Sequence, residues 1–288
     1  MKLGIGTAQF GSSYGVANRQ GRVSQDEAKA ILEYAKASGM ETLDTAIVYG
    51  DSEQCLGEIG IHNWQVVSKL PAIPEGCSDV ATWVINSVTK SLQRLKVKCL
   101  YGLLLHQPQQ LLAQDGGRLY SVLQHLKRDG LVEKIGISIY DPAELDAICG
   151  QYQLDIVQAP FNVLDRRLIE SGWLARLAEQ NTELHVRSVF LQGLLLMKAE
   201  ERPEKFNRWQ TLWERWDAGL AENNSRPLEV CLAYALSFPE ISRVIIGVDS
   251  SSQLLEILSA SMAGPFEWPH DLRATDINLL NPSLWPRL

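Results

Sequence analysis

Short apolar runs alternate with helix-patterned segments from one end of this chain to the other, and no other feature constrains the fold as strongly. The runs are Leu3 to Thr7, Thr42 to Asp44, Val66 to Leu70, Leu100 to His106, Lys134 to Ser138, Ile156 to Ala159, His185 to Ser188 and Arg243 to Gly247. Between them lie helix signals. Ser24 is placed to cap a helix that stops at Gly39, and Glu27 three residues on would complete a capping box. Asp51 opens a short helix. From Asp79 to Lys96, Val80, Trp83, Val84, Val88, Leu92 and Leu95 fall on one face. Further helices are expected at Leu119 to Asp129, after Asp141-Pro142, at Leu168 to Gln180, at Leu228 to Ser237 and at Ser251 to Ala260. Regular alternation implies a parallel sheet, and eight units of about 30 residues imply closure. The expected fold is therefore α/β, a (β/α)8 TIM barrel in one domain over residues 1–288.

Two segments break the rhythm. Lys198 to Asn224 is a charged insertion carrying Trp209, Trp213 and Trp216 along one helical face, expected to pack on the barrel or to wall a substrate pocket or subunit contact. The tail from Gly264 to Leu288 reads as irregular and is expected to drape over the barrel. The first run starts at about Leu3, so no hairpin plugging the barrel floor is expected before it.

A net charge of −7 favours neither nucleic acid nor an anionic membrane surface as a partner. The apolar stretches fall short of the roughly 18 residues a membrane span needs, and MKLGIGTAQFG lacks the features of a signal peptide. Cys55, Cys77, Cys99, Cys149 and Cys231 are scattered and odd in number, which suits neither a disulfide framework nor a zinc site. Free thiols in the cytoplasm are the expectation, and the oligomeric state is not encoded in any feature of the chain.

In such a barrel the chemistry sits where strands hand over to loops. Asp44, Lys69 and His106 end the second, third and fourth runs, and Tyr49 follows the second. Each has an ordinary reading by itself: an Asp before Thr caps a loop, a Lys after a strand reaches solvent, and a His closing an apolar run packs in the core. Together they place an acid, a phenol, an amine and an imidazole on adjacent strands. Ser138, Gln158, Ser188 and Gly247 end the remaining runs and complete a ring around one cleft.

The segments GTAQFG, LDTAIVYG, VVSKL, LLLHQP, KIGIS, QAPFN, LQGLL and IIGVDSSSQL, in this order from about Leu3 to Leu258, resemble the aldo-keto reductase family. The resemblance implies NAD(P)H-dependent reduction of a small carbonyl compound, with Tyr49 as general acid, Lys69 and Asp44 assisting it, and His106 positioning the carbonyl oxygen. It also implies a cofactor extended across the barrel mouth, in keeping with the lack of a G-x-G-x-x-G motif after any strand. Ser138 and Gln158 match positions that hold the nicotinamide carboxamide, although the Asn usual after the Ser is Ile139 here. Arg187 stands where an aromatic commonly stacks on the nicotinamide, and a guanidinium plane can do the same. Ser188 ends the same run, and Gln192, Gly193 and Leu194 resemble the loop over the pyrophosphate. At the adenosine end the positions read Gly247, Asp249 and Gln253, with Ser250 opening the last helix. Asp249 disfavours a 2′-phosphate, whereas a helix N-terminus favours an anion; NADPH is the expectation, with NADH the alternative. Phe10, Tyr14, the loop Gln107 to Arg118 and the Trp-bearing insertion are expected to line or cover the pocket. Two other functions fit the same residues: a nucleotide-binding subunit that senses redox state with little turnover, and a Schiff-base aldolase acting through Lys69.

Overall fold

The computed structural model describes residues 1–18, 21–264 and 272–287. Eight parallel strands close into a barrel in sequence order: β1 (Leu3–Gly6), β2 (Thr42–Asp44), β3 (Gln65–Leu70), β4 (Leu100–Leu105), β5 (Val132–Ser138), β6 (Ile156–Pro160), β7 (Glu183–Arg187) and β8 (Ile241–Gly247). β8 pairs with β1 to complete the ring, and the one irregularity in register lies between Leu184 and His185 on β7. Every strand falls on an expected run, with ends shifted by at most two residues. His106 and Ser188 lie just beyond β4 and β7, and the His106 N–H still donates to the Leu70 carbonyl at 3.0 Å.

The helices pack outside the sheet through the faces their periodicity marks. In Val80–Leu95 the residues Val80, Val84, Val88, Leu92 and Leu95 are buried, and Asp79 caps the helix by accepting from the Thr82 N–H. One expected helix is interrupted. Leu168 to Gln180 folds as Arg167–Glu170 and Trp173–Glu179, because Gly172 between them takes a left-handed conformation with φ 77°. The Ser24 cap forms, with the Glu27 N–H donating to Ser24 Oγ at 3.3 Å, but the Glu27 carboxylate does not return to the Ser24 backbone. It reaches instead to the Ser251 N–H, 224 residues away, at 2.5 Å. Phe10, expected at the pocket, is fully buried in the core from a short helix, Ala8–Gly11.

The insertion forms two short turns, Ala199–Glu201 and Glu204–Trp209, followed by the helix Gln210–Glu222. Its tryptophans serve packing. Trp213 and Trp216 are buried, Trp213 Nε1 donates to the Phe206 carbonyl, and Trp209 Nε1 donates to Asp276 Oδ2 in the tail. Trp285 of the tail meets Phe206 edge-on, with ring centres 4.8 Å apart. The tail expectation for residues 265–271 and 288, and the loop positions Arg19 and Gln20, lie outside the described residues. No helix of the described residues is long and apolar enough to cross a membrane.

Hydrogen bonds between strands that are not neighbours must cross the barrel interior, and they mark its two polar ends. At one end Gln158 of β6 donates to Asp44 of β2 at 2.6 Å. At the other, Tyr101 of β4 donates to Glu183 of β7 at 2.8 Å, and Arg243 of β8 donates to Thr42 and Gln65. Val67, Leu104 and Ile156 form a separate apolar cluster, with Tyr101 packed against it. At the Glu183 end, Lys134 and His185 also contact the carboxylate. Burial opposes ionisation of Glu183, but hydrogen bonds from His185, Lys134 and Tyr101 outweigh it and hold the carboxyl down at about 2, from an ordinary 4.5. A carboxylate so depressed contributes stability above pH 4.5 and loses it as pH falls towards 2. Urea midpoints of wild type should therefore drop more steeply between those two pH values than those of Glu183→Gln; parallel profiles would rule the network out as a source of acid sensitivity.

Candidate active site

Asp44 and Lys69 form a buried ion pair at the end of β2 and β3. Lys69 Nζ lies 2.6 Å from Asp44 Oδ2, with side-chain exposures of 1% and 6%, and also donates to the Thr45 carbonyl at 2.9 Å. The second Asp44 oxygen accepts from Gln158 Nε2, and Ser138 Oγ donates to Gln158 Oε1 at 3.1 Å. The carboxylate is thus held from both sides. Burial lowers the Lys69 pKa, while the charge and hydrogen bond of Asp44 pull it back up.

Tyr49 is set beside this pair by local packing. Ser52 Oγ donates to the Thr7 carbonyl at 2.9 Å, pinning the loop after β2 to the end of β1. Buried Glu53 accepts from Ser68, Ser91 and Arg94, tying the helix Ser52–Ile59 to β3 and to the next helix. The loops touch so closely at Gly11 that a Cβ there would lie 1.7 Å from the Tyr49 carbonyl oxygen, so only glycine fits. In this setting Lys69 Nζ is 5.0 Å from the centre of the Tyr49 ring, and the His106 ring meets it edge-on at 6.0 Å. Lys69 approaches the face of the ring. Burial first, and the charge of Asp44 second, push the Tyr49 phenol upward against the lowering effect of Arg187. His106 is pushed down to about 4 by burial and by the charges of Lys69 and Arg187, so its imidazole is neutral near neutral pH.

A cavity of about 320 Å³ runs from Asp44, Tyr49 and Arg187 past Ser188, Gln192 and Gly193 to Gly247, Asp249 and Gln253. Lys69 and Gln158 adjoin it through their bonds to Asp44, Ser138 lies one hydrogen bond further on Gln158, and half-buried His106 sits beside the Tyr49 ring. Leu194 is buried in the core, and Ser250 caps the helix Ser251–Ala260 by accepting from the Gln253 N–H. Of the residues expected to wall the pocket, Tyr14 lines it, whereas Phe10, the Gln107 to Arg118 loop and the three tryptophans do not. Phe10, Trp213 and Trp216 are buried in the core instead.

The loop after β7 is wound tightly. Ser188, Leu191 and Gln192 take φ values of 61°, 48° and 52°, a region that costs a non-glycine residue about 1–3 kcal/mol. Asn162, just after β6, holds this loop by donating to the Ser188 carbonyl at 3.1 Å. Gly193, with φ 89°, packs on Ala17, and Gln192 Nε2 donates to the Tyr14 hydroxyl, so the loops after β7 and β1 meet over the cavity. The Arg187 guanidinium lies 4.4 Å over the Tyr140 ring and donates to the Ile139 carbonyl at 2.9 Å.

At the far end, Asp249 Oδ1 accepts from Asn18 Nδ2 at 3.0 Å, and Glu256 adds a second carboxylate to the lining. The Ser251 N–H, at the start of the last barrel helix, is already bonded to Glu27. Sequence reasoning missed Asn18, Asn162, Glu256 and this role of Glu27. The Glu27 signal was present but pointed to the nearer partner.

A sequence model of the aldo/keto reductase family matches residues 2–267. An uncharacterized oxidoreductase of Mycobacterium tuberculosis is 27% identical over 275 residues, which cover 88% of this chain and 82% of that protein. L-galactose dehydrogenase of Arabidopsis thaliana is 27% identical over 276 residues, covering 90% and 83%. An aldo-keto reductase from Bacillus halodurans, solved in a holo form, shares the fold with a TM-score of 0.74 at 20% identity, over 92% of this chain and 88% of that one. With an acid, a phenol, an amine and an imidazole at the mouth of its eight-stranded barrel, and a family match over nearly its whole length, this chain belongs to the aldo/keto reductase family of oxidoreductases.

Proposed function

We propose that this protein reduces the carbonyl group of a small aldehyde or ketone, with Tyr49 as proton donor. The observation that carries this reading is the placement of Tyr49 on the cavity with the Asp44–Lys69 pair and His106 beside it. The residues along the cavity fit a nicotinamide dinucleotide: an acid at one end, a glycine-bearing loop in the middle and polar side chains at the other end. Such a cofactor would supply the hydride. What remains for the chain is to hold the carbonyl, deliver a proton and stabilise charge. Burial and Asp44 keep the Tyr49 proton in place until negative charge develops on the carbonyl oxygen. The Lys69 ammonium at the ring face then stabilises the phenolate left behind. Neutral His106 positions the carbonyl oxygen through one N–H. A Schiff-base role for Lys69 is disfavoured, because its amine is buried and bonded to Asp44 and Thr45.

For the nucleotide, the carboxylates of Glu27, Asp249 and Glu256 gather at the adenosine end, and no Lys or Arg among the described residues lines the cavity there. The helix N-terminus that favoured NADPH on sequence grounds already holds Glu27. This supports NADH, whose ribose 2′-OH suits an acidic site, over NADPH, whose phosphate would be repelled.

Tyr49→Phe should lower kcat by about 10²–10⁴-fold in steady-state reduction of an aldehyde panel, with a smaller effect on KM. Tight nucleotide binding by wild type without turnover of any carbonyl would favour a nucleotide-sensing subunit instead. The kcat/KM of reduction should run level from about pH 5.5 to pH 8, because protonation of His106 is displaced to about 4. A limb near 6.5 that disappears in His106→Gln would make His106 an acid in its own right. Fluorescence titration should give NADH the lower Kd in wild type, by about tenfold, with the gap closing in Glu27→Gln and Asp249→Ala. Preference for NADPH in wild type would reverse the nucleotide assignment.

A further inference from the structure

We infer that the substrate is an oxo-acid, a carbonyl compound carrying a carboxylate, and that Arg187 is the residue that selects it; the inference rests on the carbonyl-reductase reading above. Arg187 ends β7 and lines the same cavity as Tyr49 and Asp44. A guanidinium carries five N–H donors. Those of Arg187 have two bonds within the chain, to the Ile139 carbonyl at 2.9 Å and to Ser188 Oγ at 3.4 Å, and both acceptors are neutral. The Tyr140 ring under it is neutral as well.

Arg187 makes no ion pair with a described residue. Three other partly or fully buried guanidinium groups are ion-paired, Arg94 with Glu53, Arg167 with Asp165 and Asp141, and Arg202 with Asp217, while Arg243 at the opposite end of the barrel bonds to neutral acceptors and, unlike Arg187, does not line the cavity. Asp44, the carboxylate that shares the cavity mouth with Arg187, is committed on one oxygen to Lys69 and on the other to Gln158. Among the described residues the charges at this end therefore sum to one uncompensated positive charge, although the whole chain carries −7. A half-buried cation without a counter-ion loses part of its hydration uncompensated, and planar guanidinium matches a carboxylate through two parallel hydrogen bonds. A monoanionic substrate would balance the charge.

A rival role for Arg187 is to stabilise the reacting oxygen of any carbonyl, or to support the nucleotide, without reading the rest of the substrate. Matched substrate pairs separate these roles: 4-oxobutanoate against butanal, and 2-carboxybenzaldehyde against benzaldehyde, each with NADH and with NADPH. The expected result is a kcat/KM ratio of about tenfold or more in favour of the carboxylated member, expressed mainly in KM. That ratio should collapse towards one in Arg187→Met and be kept in part in Arg187→Lys, which retains the charge but not the fork. Because the ratio compares two substrates on one variant, any loss through nucleotide binding or partial unfolding cancels. A wild-type ratio of one or less, or a ratio unchanged in Arg187→Met, would overturn the inference. Glyceraldehyde 3-phosphate against glyceraldehyde forms a further arm, and preference there alone would replace the carboxylate by a phosphate and overturn the assignment. Turnover of the neutral aldehydes that Tyr49→Phe abolishes would leave the reductase reading standing while this inference falls. No turnover of any pair with either nucleotide would sink both.

Discussion

The buried ion pair between Asp44 and Lys69 is the interaction on which the rest of the site depends. Two charges removed from water inside a barrel are tolerated only when geometry and further hydrogen bonds offset their desolvation. Here the carboxylate has Lys69 on one oxygen and Gln158 on the other, and the ammonium has the Thr45 carbonyl as well. The pair spans the neighbouring strands β2 and β3, and the Gln158 bond ties β2 to β6, a strand it does not meet through its backbone. Removing one partner from such a pair leaves an unpaired buried charge, at a cost of about 3–5 kcal/mol. The neighbouring groups take their protonation from the same field. Tyr49 keeps its proton because of burial and Asp44, and His106 stays neutral because of burial, Lys69 and Arg187.

Charge is distributed unevenly along the cavity. One end holds Arg187 beside a neutralised pair, and the other gathers Glu27, Asp249 and Glu256 around the start of a helix. The Glu27 contact matters most here, because a helix N-terminus offers unpaired N–H groups and the positive end of a dipole to any anion within reach. In this fold a side chain from another helix has taken one of those groups. The cavity is therefore polarised, and both the nucleotide and the substrate proposed for it follow from that polarity.

Much of this was legible in the chain. The eight strands lie where the apolar runs placed them, since a strand buried on both faces leaves a plain apolar signature. Asp44, Tyr49, Lys69 and His106 were marked by standing at the ends of those runs. The failures share a cause. Glu27 has the spacing of a capping box, and local spacing says nothing of a backbone N–H that arrives 224 residues later. Phe10, beside the glycines of the first loop, read as a pocket wall, yet a four-residue helix turns it into the core. The face carrying Trp209, Trp213 and Trp216 was visible in its periodicity, but only the tail carrying Asp276 and Trp285 showed what it covers.

The sequence by itself determined the barrel, the order of its strands and which residues stand at the ends of those strands. Periodicity and strand-end position are local properties, and the closure of eight βα units follows from their repetition. The tertiary structure decided how those residues are partnered: Gln158 on Asp44, Lys69 against the face of the Tyr49 ring, Glu27 on the last barrel helix, and Arg187 over Tyr140 without a carboxylate. Partnership inside a closed barrel is set by side chains that meet across its interior from distant strands and loops. Protonation and charge selectivity depend on those meetings, because a charge removed from water takes its energy from whatever lies within a few ångströms of it.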